Sequence, residues 1–172
     1  AEDIYIVDWI NEAASKTLSD LDYKPISTGK YLICFKPEAF LDLITAFSNI
    51  YNARSIIDGI SLSSKDSIGT KISSEILSMN DDGLHEANYG ACTFDGEGTP
   101  TRNICLVKEG ILESFIHSEA TARAFEVLPT GNAGMGAKVS VGLEWLEICN
   151  PTNKSNNNLD HKSYKDTYIL IE

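Results

Sequence analysis

The sequence has no run of the roughly 18–20 apolar residues that a membrane-spanning helix needs. It also has no basic segment before its first apolar residues. The opening stretch AEDIYIVDWINEAASK starts on acids and does not match a secretory signal. These absences predict a cytoplasmic protein without membrane contact. Apolar residues make up 42% and charged residues 23% of the 172 residues, a composition typical of a globular protein.

Basic residues are also scarce. Lysine and arginine total 14 against 25 aspartates and glutamates, a net charge of −11, and no basic cluster is longer than a pair. Proteins bind a phosphate backbone largely through basic side chains that displace counterions. The charge therefore predicts no direct binding to nucleic acid.

The chain also lacks paired cysteines. Its four cysteines are Cys34, Cys92, Cys105 and Cys149. None forms a C-x-x-C pair, whereas structural zinc sites usually take ligands closely paired along the chain. Cys34 and Cys105 lie within the apolar runs YLICF and NICLV. We therefore predict buried free thiols and no disulfide.

Histidines number only three and are scattered. His85 forms the only H-E dipeptide, but Tyr89 and Gly90 occupy the positions where a second ligand would stand, so we expect a loop histidine on the surface. His117 is placed to cap a helix or to face solvent, and His161 falls in a polar stretch. The histidines predict no metal site in this chain.

What is present predicts an α+β fold, with helices packed on a mixed or antiparallel sheet that carries a β-hairpin at about 103–117. The most distinct feature is that hairpin, two apolar runs at 104–116 around the turn Lys108-Glu109-Gly110. A helix at 118–125 follows, with Ser118 as its N-cap. The other predicted elements are helices at 4–18 and 37–53, strands at 30–35, 72–79 and 138–148, and a turn at 80–83. The helix at 37–53 should be buried on several sides and pack on a sheet containing both 30–35 and the hairpin.

Composition divides the chain into three parts. Residues 1–149 form the α+β domain, and the asparagine-rich stretch 150–163 is predicted to be a poorly ordered polar connector. Residues 164–172 begin a further apolar element. We therefore predict that the chain is a fragment of a longer protein.

The stretch 93–133 carries four spaced motifs. They are Asp95-x-Glu97-Gly98-x-Pro100-Thr101, the Glu109-Gly110 turn, Thr121-Ala122-Arg123 and Pro129-Thr130-Gly131-Asn132. In this order they resemble the PmbA/TldD family of peptide-processing metalloproteases, and the resemblance extends more loosely over roughly residues 20–150. It implies a cytosolic α+β protein that helps to mature modified peptides or to degrade unfolded ones.

The same resemblance implies a division of labour between two paralogous types. The TldD type carries H-E-x-x-x-H on a helix after a strand, and the PmbA type lacks it and acts as the partner. The equivalent helix here, 37–53, offers Glu38, Asp42, Thr45, Ser48 and Asn49 but no histidine. The resemblance therefore implies a non-catalytic, peptide-binding subunit without a cofactor of its own. Zinc is then expected in a paralogous TldD-type partner, although a homodimer is also open.

Two alternatives remain open from the sequence. An active metallopeptidase would take its metal ligands from a missing C-terminal part. A regulator that binds DNA gyrase is suggested only by a label that some family members carry.

Two segments are the candidate binding surface. Asp95 and Glu97 could act as general acid and base or bind a hard cation, but the surrounding glycines and Pro100 favour carboxylates that accept backbone hydrogen bonds within a turn. The glycines at 131, 134 and 136 match no phosphate-binding loop and predict a flexible loop beside partner or substrate. The residues predicted to face peptide or partner are Asp95, Glu97, Thr99, Thr101, Thr130 and Asn132.

Overall fold

A computed structural model describes residues 6–19, 21, 25–149 and 168–171. Its helices are α1 (Ile6–Ser19), α2 (Pro37–Ala46), α3 (Ala53–Ile57) and α4 (Glu119–Phe125), with short 3-10 turns at Ser48–Ile50 and Lys65–Ser67. Its strands are β1 (Leu32–Phe35), β2 (Ser78–Asp82), β3 (Asn103–Lys108), β4 (Ile111–Leu112), β5 (Ala133–Gly134), β6 (Ser140–Val141), β7 (Leu146–Cys149) and β8 (Tyr168–Ile171). Among these residues no helix is long and apolar enough to cross a membrane.

The main sheet is four-stranded and antiparallel, in the order β4-β3-β2-β7. Two smaller sheets accompany it, a parallel pair of β1 with β8 and an antiparallel pair of β5 with β6. The α+β prediction is therefore confirmed. The hydrophobic core is formed by residues of the main sheet, by the segment that follows β4 and by the segment that leads into α3. Its buried residues are Tyr51, Ala53, Met79, Leu106, Val107, Leu112, Phe115 and Ile116.

The hairpin is confirmed, with its turn at the predicted residues. Glu109 and Gly110 both have positive φ, 48° and 80°, as a tight type I′-like turn requires. Its second arm is shorter than predicted, because β4 ends at Leu112 and the chain then pairs with the segment before α3. There the Ile116 amide donates to the Tyr51 carbonyl (2.8 Å).

The predicted long helix at 37–53 is wrong in its second half, and α2 ends at Ala46. The Asn52 side chain accepts from the amides of Arg54 and Ser55, which starts α3 as a separate helix. No residue of α2 is fully buried, against the prediction of burial on several sides. The strand at 30–35 is confirmed as β1, but it pairs with β8 rather than with the hairpin sheet.

Four other predictions need correction. The strand predicted at 72–79 begins only at Ser78, and Asn80–Asp82, predicted as a turn, are its centre and end, because they pair with β3 and β7 on either side. The strand predicted at 138–148 is divided into β6 and β7. The four cysteines are not buried as predicted. Cys34 and Cys149 are half-buried and Cys92 and Cys105 are exposed, and β3 turns Leu106 and Val107 rather than Cys105 to the core.

The C-terminal predictions are only partly within the described residues. The connector 150–163 lies outside them. Within 164–172, Tyr168–Ile171 form β8 and lie in parallel register beside β1, Leu32 opposite Tyr168 and Phe35 opposite Ile171.

Candidate functional site

The turn at 93–101 is built around the carboxylate of Asp95. One carboxylate oxygen accepts from the backbone amides of Glu97 and Thr99, both at 2.9 Å. The other accepts from the amide of Ala133 at 2.9 Å, which ties this turn to the glycine-containing loop. The carboxylate is thus engaged by three backbone donors, as the turn interpretation predicts, and works as a brace between two segments.

Glu97 has a separate structural partner. Its carboxylate accepts from the amide of Glu119 at 2.8 Å, the first residue of α4. The first amides of a helix have no partner within the helix, and negative charge there is favourable. Ser118 caps the same helix by accepting from the Thr121 amide, so the predicted N-cap is confirmed.

The other predicted site residues also bond inwards. Thr99, Thr130 and Asn132 are buried, with exposures of 6%, 9% and 3%. The Thr130 hydroxyl accepts from the His117 amide (2.7 Å) and donates to the His117 carbonyl (3.1 Å). Thr101 is half-buried. The structure therefore brings the six predicted residues together, but mainly as an internal network.

Asp81 is a central residue that the sequence analysis missed. It is 1% exposed, and its carboxylate accepts from the amides of Glu144 (2.9 Å) and Trp145 (2.8 Å) and from the Asn132 side-chain amide (2.6 Å). Burial raises its pKa, although these hydrogen bonds oppose the shift. One feature of the sequence could have indicated its burial. Side chains along a strand alternate between two faces, and in SMNDD Met79 and Asp81 lie on the same, buried face.

A cleft of about 660 Å³ lies between α2 and the edge strand β7. Its lining residues are Phe35, Pro37, Phe40, Leu41, Trp145, Leu146, Glu147 and Ile148. The Trp145 carbonyl accepts from the Asp82 amide (2.8 Å), so by antiparallel alternation the backbone groups of Leu146 and Ile148 point away from β2. No described strand pairs with that side of β7. The cleft therefore combines apolar walls with an open strand edge.

The sequence and the fold of the chain can be compared with those of known protein families. Residues 28–171 match the family model described as the PmbA/TldA metallopeptidase C-terminal domain. The chain belongs to the PmbA/TldD family. The resemblance carried by the four motifs of 93–133 is thus confirmed.

Individual relatives agree with this assignment. A metalloprotease of Methanocaldococcus jannaschii is 30% identical over 122 residues, covering 70% of this chain and 27% of that protein. A Thermotoga maritima structure, named as a candidate modulator of a DNA gyrase, has a TM-score of 0.71 at 29% identity and covers 80% of this chain and 31% of its own. TldE from Thermococcus kodakarensis shares the fold, with a TM-score of 0.69, 21% identity, and coverage of 82% and 33%. The chain thus spans about a third or less of the length of these relatives.

The family name raises the question of whether this chain can hold zinc. Zinc in proteins is bound by histidine, cysteine or carboxylate ligands converging in a tetrahedron. The helix α2 offers only Glu38 and Asp42 as ligands of these types. Over the described residues no group of three or more His, Cys, Asp or Glu side chains could hold a metal ion. The residues of α2 do not fit a zinc site.

The two described histidines have structural surroundings. His85 lies in a loop, as predicted, and is half-buried there because it stacks on Trp145, with ring centroids 5.1 Å apart and planes 8° from parallel. His117 was expected to cap a helix or face solvent, and both expectations are wrong. It is 4% exposed, and burial lowers its pKa to about 4, against a smaller opposing effect of the Thr121 backbone.

The first prediction concerns the Asp95 brace. Asp95→Ala should lower the free energy of unfolding by about 2–3 kcal/mol, because it leaves three backbone amides without their acceptor. Glu97→Ala, the matched control, removes one such bond and should cost about 1 kcal/mol. Urea unfolding monitored by circular dichroism measures both. Equal losses for the two variants would contradict the brace.

The second prediction concerns acid sensitivity from His117. Its pKa is lowered in the folded chain from 6.5 to about 4, so on acidification the unfolded state takes up the proton first. This contribution to stability is present above pH 6.5 and is lost as the pH falls toward 4, by about 2 kcal/mol at pH 5. In His117→Phe, which has no imidazole to protonate, this contribution to the loss of stability on acidification should disappear. Unfolding by urea at pH 7 and pH 5 compares the two proteins, and an unchanged pH dependence in the variant would refute the assignment.

Proposed function

We propose that this chain is the non-catalytic, peptide-binding member of a PmbA/TldD-type peptide-processing pair. The observation that carries this proposal is the open edge of β7 beside an apolar cleft. The outward backbone groups of Leu146 and Ile148 can pair with an extended peptide, which then becomes an added strand. Pairing through the backbone accepts many sequences, as a subunit that handles unfolded or modified peptides requires.

The apolar walls complement this edge. Phe40 and Leu41 of α2 face Trp145 and Ile148 across the cleft, so side chains of the added strand can lose contact with water. The edge is also held in place before a peptide arrives. Asp81 bonds the amides of Glu144 and Trp145 immediately ahead of β7. A rigid edge loses little conformational entropy on binding.

The absence of imidazole from α2 supports a non-catalytic role. Metal-assisted hydrolysis uses about three protein ligands and a positioned base. Glu38 and Asp42 are the only potential zinc ligands of that helix. Under this proposal the zinc and the catalytic base belong to a paralogous partner, and this subunit contributes binding surface.

The turn at 93–101 and the loop at 129–136 are proposed to face that partner or the peptide. The carboxylates of Asp95 and Glu97 fix the shape of this surface through their backbone hydrogen bonds. The contact itself would come from the apolar side chains that remain outside, Phe94 at 62% and Met135 at 68% exposure. Where such side chains form a continuous apolar patch, the patch is typical of a protein contact.

Peptide binding can be measured through Trp145, which lines the cleft. The chain has two tryptophans, so Trp9→Phe leaves Trp145 as the single reporter. Adding an extended peptide should change the fluorescence of Trp145 until the binding site is saturated. The same peptide N-methylated at every residue cannot donate to the strand edge from either of its own edges and should bind at least about tenfold more weakly. Equal binding of both peptides would exclude strand addition.

The non-catalytic role is tested by reconstitution. The full-length protein is mixed with a zinc-bearing paralogue, and peptide cleavage is followed with and without a chelator. We expect no cleavage by the protein alone and chelator-sensitive cleavage by the mixture. Chelator-sensitive cleavage by the protein alone would contradict the proposal. Phe94→Ser and Met135→Ser should weaken the mixture's activity. An unchanged peptide fluorescence titration in these variants would assign the surface to the partner, and a weakened titration would assign it to the peptide.

A further inference from the structure

The edge strand β7 carries different side chains on its two faces. Ile148 lies opposite Met79 of β2, which is fully buried, so Ile148 and Leu146 share the buried face of the main sheet. Glu147 lies opposite Asn80 and points to the other face, because side chains alternate along a strand. A peptide added to this edge would therefore meet apolar side chains on one face and a carboxylate on the other.

The backbone pattern of β7 brings one peptide side chain close to Glu147. The outward backbone groups belong to Leu146 and Ile148, so these two residues form the hydrogen-bonded pairs with an added antiparallel strand. Glu147 lies between them and forms a non-hydrogen-bonded pair, the kind in which the two side chains are closer. The Cβ atoms of directly opposite residues are roughly 4.5–5.5 Å apart, which a long charged side chain can bridge. The peptide residue opposite Glu147 is thus the one whose charge this carboxylate affects most.

Glu147 has no cationic partner among the residues that the structure describes. The ion pairs found there each join two residues one helical turn apart, and none includes Glu147. Of the described residues that line the cleft, Glu147 is the one with an ionisable side chain. Its charge already acts along this face of β7, because burial and then the Glu147 carboxylate raise the pKa of the Cys149 thiol. A half-buried carboxylate without a cation, at an edge open to a further strand, favours a positively charged neighbour.

We propose that the β7 edge selects extended peptides in which apolar and positively charged side chains alternate, and that Glu147 determines the charged positions. This inference rests on the proposed strand addition and names the class of peptide that the edge prefers. The apolar side chains lie on the face of Leu146 and Ile148, where Phe40 and Leu41 complete the wall of the cleft. Lysine or arginine at the alternate positions pairs with Glu147, whereas an acidic residue there is repelled. Backbone pairing still admits many sequences, and the charge ranks them.

The charge preference is tested with capped peptides that differ only at alternate positions, Val-Lys-Val-Lys-Val, Val-Gln-Val-Gln-Val and Val-Glu-Val-Glu-Val. Trp145 fluorescence in the Trp9→Phe protein gives each dissociation constant, at about 0.15 M salt so that charges beyond about 8 Å are largely screened. The lysine peptide should bind about three- to tenfold more tightly than the glutamate peptide. Glu147→Gln should reduce this ratio to about twofold or less, and Glu147→Lys should invert it. Glu126→Gln, the matched control, removes the charge of an exposed residue that does not line the cleft and should leave the ratio unchanged.

A further peptide, Val-Val-Lys-Lys-Val, tests the alternation itself. It has the composition and charge of the lysine peptide, but one of its adjacent lysines must turn towards the apolar wall, so it should bind more weakly. Equal binding of these two peptides would overturn the inference, because charge would then act without the strand pattern. Equal binding of the lysine and glutamate peptides, or a lysine preference that survives Glu147→Gln, would also overturn it and leave strand addition intact. Failure of every peptide to bind would instead refute strand addition at β7, and this inference with it.

Discussion

Gly131→Ala is expected to lower the free energy of unfolding by roughly 2–5 kcal/mol. Gly131 has φ of +85°, a conformation that costs an L-residue about 1–2 kcal/mol. A Cβ atom there would also lie 2.5 Å from the Pro100 carbonyl oxygen and 2.9 Å from the Thr101 Cα. Both neighbours are backbone atoms, so relief requires moving the braced turn itself, and overpacking of this kind costs about 1–3 kcal/mol more.

Gly98 provides the matched control for this prediction. It has nearly the same φ, +83°, but a Cβ built there would meet nothing within 4 Å. Gly98→Ala should therefore show the conformational cost alone, about 1–2 kcal/mol. Urea unfolding of both variants separates the two contributions. If the losses are the same within error, the close approach of Gly131 to Pro100 has no energetic weight.

This comparison also corrects the view of residues 129–136 as one flexible loop. Gly131 and Asn132 are buried between the braced turn and the main sheet, and Ala133 donates to Asp95. Only the later part, from Met135 onwards, is exposed. The glycine composition correctly indicates unusual backbone geometry. It cannot indicate whether the reason is a close approach inside the protein or freedom at its surface.

Local signals were sufficient where the stabilising contacts are local. The Glu109-Gly110 turn and the Ser118 cap depend on residues within a few positions of each other, so the hairpin and α4 could be located from the sequence. The motifs of 93–133 located the braced turn for a similar reason. Asp95 bonds Glu97 and Thr99 within one short turn, although its third partner, Ala133, is distant in sequence.

Elements that depend on distant partners were not predictable in this way. Asn80–Asp82 have the composition of a turn, and only pairing with β3 and β7 makes them a strand. Tyr51, within the predicted helix at 37–53, likewise bonds through its backbone to Ile116, which is distant in sequence. For the candidate site, sequence identified the brace but not Asp81, because its bonds are to residues 51–64 positions away.

Asp81→Ala is the second substitution with a large expected effect, a loss of about 3–5 kcal/mol in the free energy of unfolding. Two opposing effects decide this value. Burial disfavours the ionised carboxylate, as its raised pKa shows, so the substitution relieves some desolvation. It also leaves the amides of Glu144 and Trp145 and the side-chain amide of Asn132 without their acceptor. Each unpartnered buried donor costs about 1–3 kcal/mol, and the sum exceeds the relief.

The neighbouring Asp82→Ala is the control. Asp82 is half-buried, and within the described part of the chain its carboxylate accepts one long bond, 3.3 Å from the Leu84 amide. It should cost less than about 1 kcal/mol. The pH dependence of the free energy of unfolding tests the direction of the Asp81 pKa shift. Because burial raises the folded-state pKa of Asp81 above 3.8, the stability gap between the unchanged protein and Asp81→Ala should narrow as the pH rises through that raised value. A gap that widens instead would mean that the hydrogen bonds lower the pKa more than burial raises it.

The same variant connects the fold to the proposed binding edge. The bonds from Asp81 to Glu144 and Trp145 fix the chain immediately before β7. Loss of these bonds should loosen the N-terminal end of β7. A peptide must then order this strand edge as it binds, which costs conformational entropy. In the Trp145 fluorescence titration, Asp81→Ala should therefore weaken peptide affinity about tenfold or more while Asp82→Ala leaves it unchanged. Unaltered affinity in a folded Asp81→Ala protein would show that the edge keeps its shape without this carboxylate.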